Sequence, residues 1–107
     1  MAEESLDLDL KMEEGDLYQE EIITDRRVGT IQRLTPIDKT GKPDPARPVL
    51  FVGQTQLMSR MGALPLNFEI PGDNLEQAVQ NFATAANGAL QETMKKLEEM
   101  RREQASS

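Results

Sequence analysis

One long stretch of helical periodicity, from Asp73 to about Glu103, constrains this chain more than any other feature. Its apolar residues recur at steps of three or four, which places them on one face of a helix. They are Leu75, Val79, Phe82, Ala86, Leu90, Met94 and Leu97. Asp73, with Glu76 three residues later, predicts the start of this helix as a capping box. The sequence therefore predicts a C-terminal helix over about residues 73–103.

The pair Asn87-Gly88 lies in the middle of this helix and leaves two interpretations open. In one, the pair ends a first helix in a left-handed cap and a second helix follows. In the other, a single helix passes through it. We favour the single helix, because the apolar stripe keeps its phase across the pair and strong helix formers flank it.

The predicted helix is too long for the sheet beside it. About thirty residues at about 1.5 Å each give a helix near 45 Å long, whereas strands of six or seven residues span only about 20 Å. Part of the apolar stripe is therefore left without a sheet under it. We expect the second half to bind another chain, most simply a second copy of this one. The candidate partner-binding residues here are Leu90, Met94, Leu97 and Met100.

Three segments before the helix have strand patterns, at about residues 21–34, 49–58 and 64–70. Asp25-Arg26-Arg27 either divides the first segment into two strands or forms a bulge in one. The continuous apolar run Val49–Val52 indicates a strand buried on both faces, and Pro65 favours an edge position for the last strand. The predicted fold class is α+β, a small antiparallel sheet of three to four strands with one long C-terminal helix packed across it.

The first 20 residues have the composition of a flexible acidic leader, followed by a single small domain over residues 21–107. Residues 1–25 hold ten acidic residues and one Lys, a net charge of −9, while the remaining residues carry a net charge of +2. Within the leader Leu6, Leu8 and Leu10 alternate with polar residues, so in an extended chain they share a face. A disordered tail is the simpler interpretation. The alternative is a strand that adds to a sheet edge, which makes the three leucines candidate partner-binding residues.

Composition excludes several classes of chemistry. The chain has no Cys and no His, which removes disulfides, thiol nucleophiles, His-based acid–base catalysis and the usual zinc sites. The acidic residues of the leader lack the glycine-centred spacing of a calcium loop. No apolar run approaches the length of about 20 residues that crosses a membrane. We expect a cytoplasmic protein that is not an enzyme and holds no cofactor or metal.

Three classes of function follow from these patterns. The first is a non-catalytic protein–protein interaction module, such as an adaptor, an assembly factor or a chaperone-like subunit, that forms a homo-oligomer and binds a protein partner. The second is a nucleic-acid-associated protein that uses the basic end of the helix; acidic residues interleaved with those bases argue against it. The third is a subunit of an enzyme. The sequence favours the first class.

Overall fold

The structure is a computed structural model that describes residues 9–60 and 62–106, and in these ranges the chain is an α+β fold. A short 3-10 helix, Glu14–Asp16, precedes four strands and a long helix, α1. The strands are β1 (Leu17–Thr24), β2 (Gly29–Ile37), β3 (Leu50–Ser59) and β4 (Gly62–Glu69), and α1 is Leu75–Ser106. The four strands form one antiparallel sheet in chain order, β1-β2-β3-β4. This architecture is the predicted fold class.

The first predicted strand segment is two strands joined by a turn, and the first of them begins earlier than expected. β1 starts at Leu17, so residues 17–20 belong to the sheet and not to the leader. β1 lies at the edge of the sheet, where its exposed residues Gln19, Glu20 and Glu21 discourage pairing with other chains. In the turn, Arg26 adopts a left-handed conformation with φ of 62°.

The strand register sorts the side chains of the sheet onto two faces. Ile23 pairs with Ile31, Ile31 with Gly53, and Gly53 with Phe68, so these four residues form one row across the sheet. Alternate residues along each strand share their face, and α1 packs against this face. Leu66 and Phe68 are buried there, as the alternation in the last strand predicts.

No helix or strand that the structure describes covers the opposite face of the sheet, which we call the far face. Only one end of it is closed, where Pro36 is fully buried and Arg47 from the loop stacks over Tyr18. The run Val49–Val52 was predicted to be buried on both sides, and that prediction is wrong. Phe51 points into the core at 3% exposure, whereas Leu50 on the far face is 37% exposed. The continuous apolar run reflects a central strand with one covered face and one half-open face.

Helix α1 begins one residue later than the predicted capping box places it. Asn74 Oδ1 accepts a hydrogen bond from the Gln77 amide at 2.9 Å, and Gln77 Oε1 accepts one from the Asp73 amide at 2.7 Å. The cap therefore uses Asn74 and Gln77 in place of Asp73 and Glu76, because Asn is as good an N-cap as Asp. The helix continues unbroken through Asn87-Gly88, which confirms the single-helix interpretation.

The core lies between the first half of α1 and strands β2 to β4. Ile31, Phe51, Leu66, Phe68, Ile70 and Ala78 are its buried residues. Phe82 packs against this cluster, as do Leu75, Ala85, Ala86, Ala89 and Leu90. Leu90 is the last apolar residue of α1 that packs against this cluster, which agrees with a sheet shorter than the helix.

Arg47 holds the loop between β2 and β3 against the start of β1. Its guanidinium donates to the carbonyl oxygens of Leu17 at 3.0 Å and Ile37 at 2.9 Å, and to the Asp44 carboxylate at 3.0 Å. It also stacks over the Tyr18 ring, 4.9 Å from the centroid. One planar fork thus ties this loop to the start of β1 and to the end of β2.

Candidate interaction surfaces

The end of α1 projects beyond the sheet, and we call residues 91–104 the overhang. Three large apolar side chains on it are exposed: Met94 at 58%, Leu97 at 49% and Met100 at 57%. The described part of the chain has a radius of gyration of 18.8 Å, against about 13 Å for a compact domain of this length. The overhang therefore presents an apolar surface beyond the described core.

The seven residues predicted to bind partners have different surroundings. Met94, Leu97 and Met100 lie together on the overhang, whereas Leu90 is half-buried and packs against the core. Leu10 is 81% exposed and lies before β1. Leu6 and Leu8 lie outside the described residues. The overhang thus gathers three of the predicted residues on one helix end.

A second apolar surface, which the sequence analysis missed, is a groove between α1 and the β1–β2 hairpin. This hairpin groove is a cavity of about 300 Å³. Its lining residues are Ile23, Thr24, Asp25, Val28, Gly29, Ile31, Val79, Phe82 and Ala83. Val79 belongs to the predicted apolar stripe, yet its side chain is 55% exposed, and Val28 is 54% exposed. Both valines lie beside the core rather than within it.

The groove exists because α1 covers one half of the sheet. The connection from Ile70 to Leu75 is short, so the helix starts at β4 and lies over β4 and β3, reaching β2 through Phe82. A helix is about 10 Å wide, and neighbouring strands are about 4.8 Å apart, so one helix covers about two strands. The helix-side face of β1 and part of β2 is therefore left open within the described structure.

The tip of the hairpin is a rigid rim for this groove. The Asp25 carboxylate accepts hydrogen bonds from the amides of Arg27 at 2.9 Å, Val28 at 2.8 Å and Gly29 at 3.3 Å. These amides hold the pKa of Asp25 below its usual value, with the Arg27 amide contributing most. The Asp25 carboxylate therefore closes the turn.

Away from the tip, the open half of the sheet becomes polar. Glu21 on β1 and Arg33 on β2 are paired in register on the helix-side face, and Arg33 donates two hydrogen bonds to the Glu21 carboxylate, at 3.0 and 2.9 Å. The bond from Arg33 lowers the pKa of Glu21. Both side chains are partly exposed, so the pair contributes little to stability. It marks where the apolar part of the groove ends.

The far face carries a looser apolar patch. Ile22 and Val52 lie in one row of the sheet, and Leu34 and Leu50 lie in the next. Ile22 is 73% exposed, while Leu34 and Val52 are half-buried. Polar residues such as Glu20 and Gln32 interrupt this patch, so it is less apolar than the hairpin groove.

Among residues 9–60 and 62–106, no three acidic side chains come close enough together to hold a metal ion. No helix in the described part of the chain combines the length and the apolar character that crossing a membrane requires. Comparison of the chain with protein-family models, with curated proteins and with solved structures found no match.

Proposed function

We propose that the protein is a non-catalytic protein–protein interaction module, of the adaptor, assembly-factor or chaperone-like kind, that works as a homo-oligomer in the cytoplasm. One observation carries the proposal: the overhang holds Met94, Leu97 and Met100 exposed, and it lies beyond Leu90, the last apolar residue of α1 that packs against the core. A cluster of exposed large apolar residues on a soluble domain is typical of a protein-binding surface.

The character of the overhang favours another protein over a nucleic acid. Its cationic residues are interleaved with acidic ones, and Arg102 is already paired with Glu98 at 3.5 Å. A phosphate backbone is bound by clustered positive charge that acidic neighbours do not cancel. Methionine adapts its shape to an apolar partner surface, which suits two of the three exposed residues.

A second copy of the chain is the simplest partner. Every copy of the chain exposes the same apolar residues. Two copies can cover these residues by pairing through a self-complementary interface, which is the commonest arrangement in soluble oligomers. Association also displays the far face of each sheet at a fixed spacing to further protein partners.

The test is the mass of the full chain in solution at micromolar concentration, measured by light scattering. We expect a mass of at least two chains. The double substitution Met94→Gln with Leu97→Gln should shift the mass toward one chain, because it removes apolar surface from the interface. Lys95→Gln with Arg102→Gln is the matched control, since it changes two neighbouring exposed side chains and should keep the oligomer.

Circular dichroism of both double variants checks that α1 remains folded. A mass of one chain for the unmodified protein across this concentration range would overturn the proposal. An oligomer that survives the Met94 and Leu97 substitutions unchanged would show that the overhang is not the interface.

A further inference from the structure

The side of α1 that borders the hairpin groove carries a mainly apolar stripe with charges of opposite sign at its two ends. With 3.6 residues per turn, eight residues fall on this side of the helix. They are Glu76, Val79, Ala83, Asn87, Leu90, Met94, Leu97 and Arg101. Val79 and Ala83 line the groove, while Met94 and Leu97 extend the same stripe onto the overhang. The stripe therefore joins the two apolar surfaces described above.

The stripe is self-complementary when two copies of α1 lie antiparallel. If a two-fold axis passes between Gly88 and Ala89, Met94 of one copy lies opposite Ala83 of the other, and Leu97 lies within one residue, about 1.5 Å along the axis, of the position opposite Val79. Large side chains thus meet small or medium ones, which is the condition for close packing of two helices. The charged ends also match, because Glu76 lies opposite Arg101 at each end of the stripe.

From this relationship we infer that two copies pair through antiparallel α1 helices, and that the overhang of each copy fills the hairpin groove of the other. This inference rests on the proposed function. It adds the register of the two helices and names the overhang of the second copy as the occupant of the hairpin groove. The groove lies beside Val79 and Ala83, so in this register Met94 and Leu97 of the second copy lie over it. The interface is symmetric, so the overhang of each copy covers the hairpin groove of the other and the same contact occurs twice.

The dimensions of the fold agree with this arrangement. Packed helices lie 8–10 Å apart, which is about two strand spacings, so a second helix beside α1 lies over β1 and β2. These are the strands that α1 leaves open. The polar end of the second helix, from Arg101 onward, then lies level with the Glu21–Arg33 pair, and its apolar part lies level with Ile23 and Val28.

Spin-label distances test the orientation directly, because the chain contains no cysteine. Lys95→Cys and Arg102→Cys place single labels seven residues apart on the exposed back of the helix. For an antiparallel pair centred near Gly88, the labels of the two copies are separated along the axis by about 20 Å at position 95 and about 40 Å at position 102. A parallel pair gives equal distances at the two positions.

A charge exchange tests the register. Glu76→Arg alone and Arg101→Glu alone each place like charges together at two symmetric sites, so dimer dissociation constants should rise roughly tenfold. The double variant restores both pairs with exchanged signs and should return to within about threefold of the unmodified protein. Glu99→Arg, on another side of the helix, is the control for the change in net charge.

The outcomes separate this inference from the proposed function. A dimer whose two label distances are equal, or whose double charge variant is no better than the singles, overturns the antiparallel register and leaves the interaction module standing. A mass of one chain overturns both. A distance at position 102 that exceeds the distance at position 95, together with recovery in the double variant, supports the pairing.

Discussion

The ring of Phe82 on α1 meets the ring of Phe68 on β4 edge to face, with centroids 5.2 Å apart and planes inclined by 70°. Aromatic pairs prefer this geometry over stacked rings because the positive edge of one meets the negative face of the other. Phe82 also lies close to the start of β2, where a Cβ added to Gly29 would come within 3.1 Å of its Cζ atom. This one side chain therefore joins the helix to β4 and to the start of β2.

Phe82→Ala should remove that connection. Truncating a buried Phe costs about 3–5 kcal/mol, and because Phe82 is half-buried we expect about 2–3 kcal/mol. Urea unfolding at a fixed protein concentration measures the free energy of unfolding. Thr84→Ala, on the exposed side of the same helix, is the control and should change it by less than about 0.5 kcal/mol. Equal effects of the two substitutions would contradict the assigned packing.

Two glycine substitutions should have opposite effects on stability. A Cβ at Gly53 would lie 2.6 Å from Phe68 Cζ and 3.0 Å from Ile70 Cδ1, so Gly53→Ala should destabilise the fold by about 1–3 kcal/mol through overpacking. At Gly88 a Cβ meets no atom within 4 Å among the described residues. Gly88→Ala should stabilise the helix by up to about 1 kcal/mol. Thermal unfolding of both variants measures the contrast, and a loss of stability in Gly88→Ala would argue against a continuous exposed helix there.

Arg47→Lys should loosen the loop between β2 and β3. Lysine keeps the charge but loses the planar fork that reaches two carbonyl oxygens and the Asp44 carboxylate, so we expect a loss of about 1–2 kcal/mol. Hydrogen exchange should be faster at the Asp44 amide, which donates to the Pro36 carbonyl oxygen at 2.9 Å. Arg27→Lys on the hairpin tip is the control. Unchanged exchange at Asp44 would show that the loop is held by other contacts.

The fold should lose stability in acid, and Asp25 should account for part of the loss. Its pKa is lowered in the folded state, so its contribution is fully present above the unfolded value near 3.8 and is lost as the pH falls through the lowered folded value. Asp38 and Asp44 are shifted in the same direction by their own hydrogen bonds, led by the Thr40 hydroxyl and the Ala46 amide respectively. With no His in the chain, stability should change little between about pH 5.5 and 7.5.

Thermal midpoints at about pH 6 and about pH 3 measure this dependence. Asp25→Asn removes the titrating group, so its midpoint should fall less between the two pH values than that of the unmodified protein, although it starts lower. The prediction fails if the variant loses as much on acidification as the unmodified chain does.

The elements that could be predicted are those whose signals are local. The stripe of α1 repeats every three or four residues, and the last strand alternates at every second residue, because each pattern follows from the geometry of one element. The helix start was predicted one residue early, since Asp73 and Asn74 are equally suited to cap and only the hydrogen bonds distinguish them. The two strands within residues 21–34 remained unresolved, because the turn depends on one carboxylate binding three amides.

The open surfaces depend on relationships between elements, and the sequence carries no direct signal for them. Val79 has the spacing of a core residue, yet it lies at the margin of the core because the short connection after Ile70 holds the helix over β3 and β4. Leu50 lies in an apolar run, yet it is partly exposed because no described element covers the far face. Both residues are apolar. How far each side chain is buried depends on which strands, and which face of the sheet, the helix covers.

The sequence by itself determined a long amphipathic helix, a small antiparallel sheet and the excess of helix length over strand length, since each is a property of chain geometry. The tertiary structure decided where that excess lies and what borders it. It placed the overhang beyond the sheet, because the helix is longer than the strands. It also left the hairpin groove open beside α1, because one helix covers β4, β3 and only part of β2. The proposed pairing of those two surfaces rests on that placement and on the distance between packed helices.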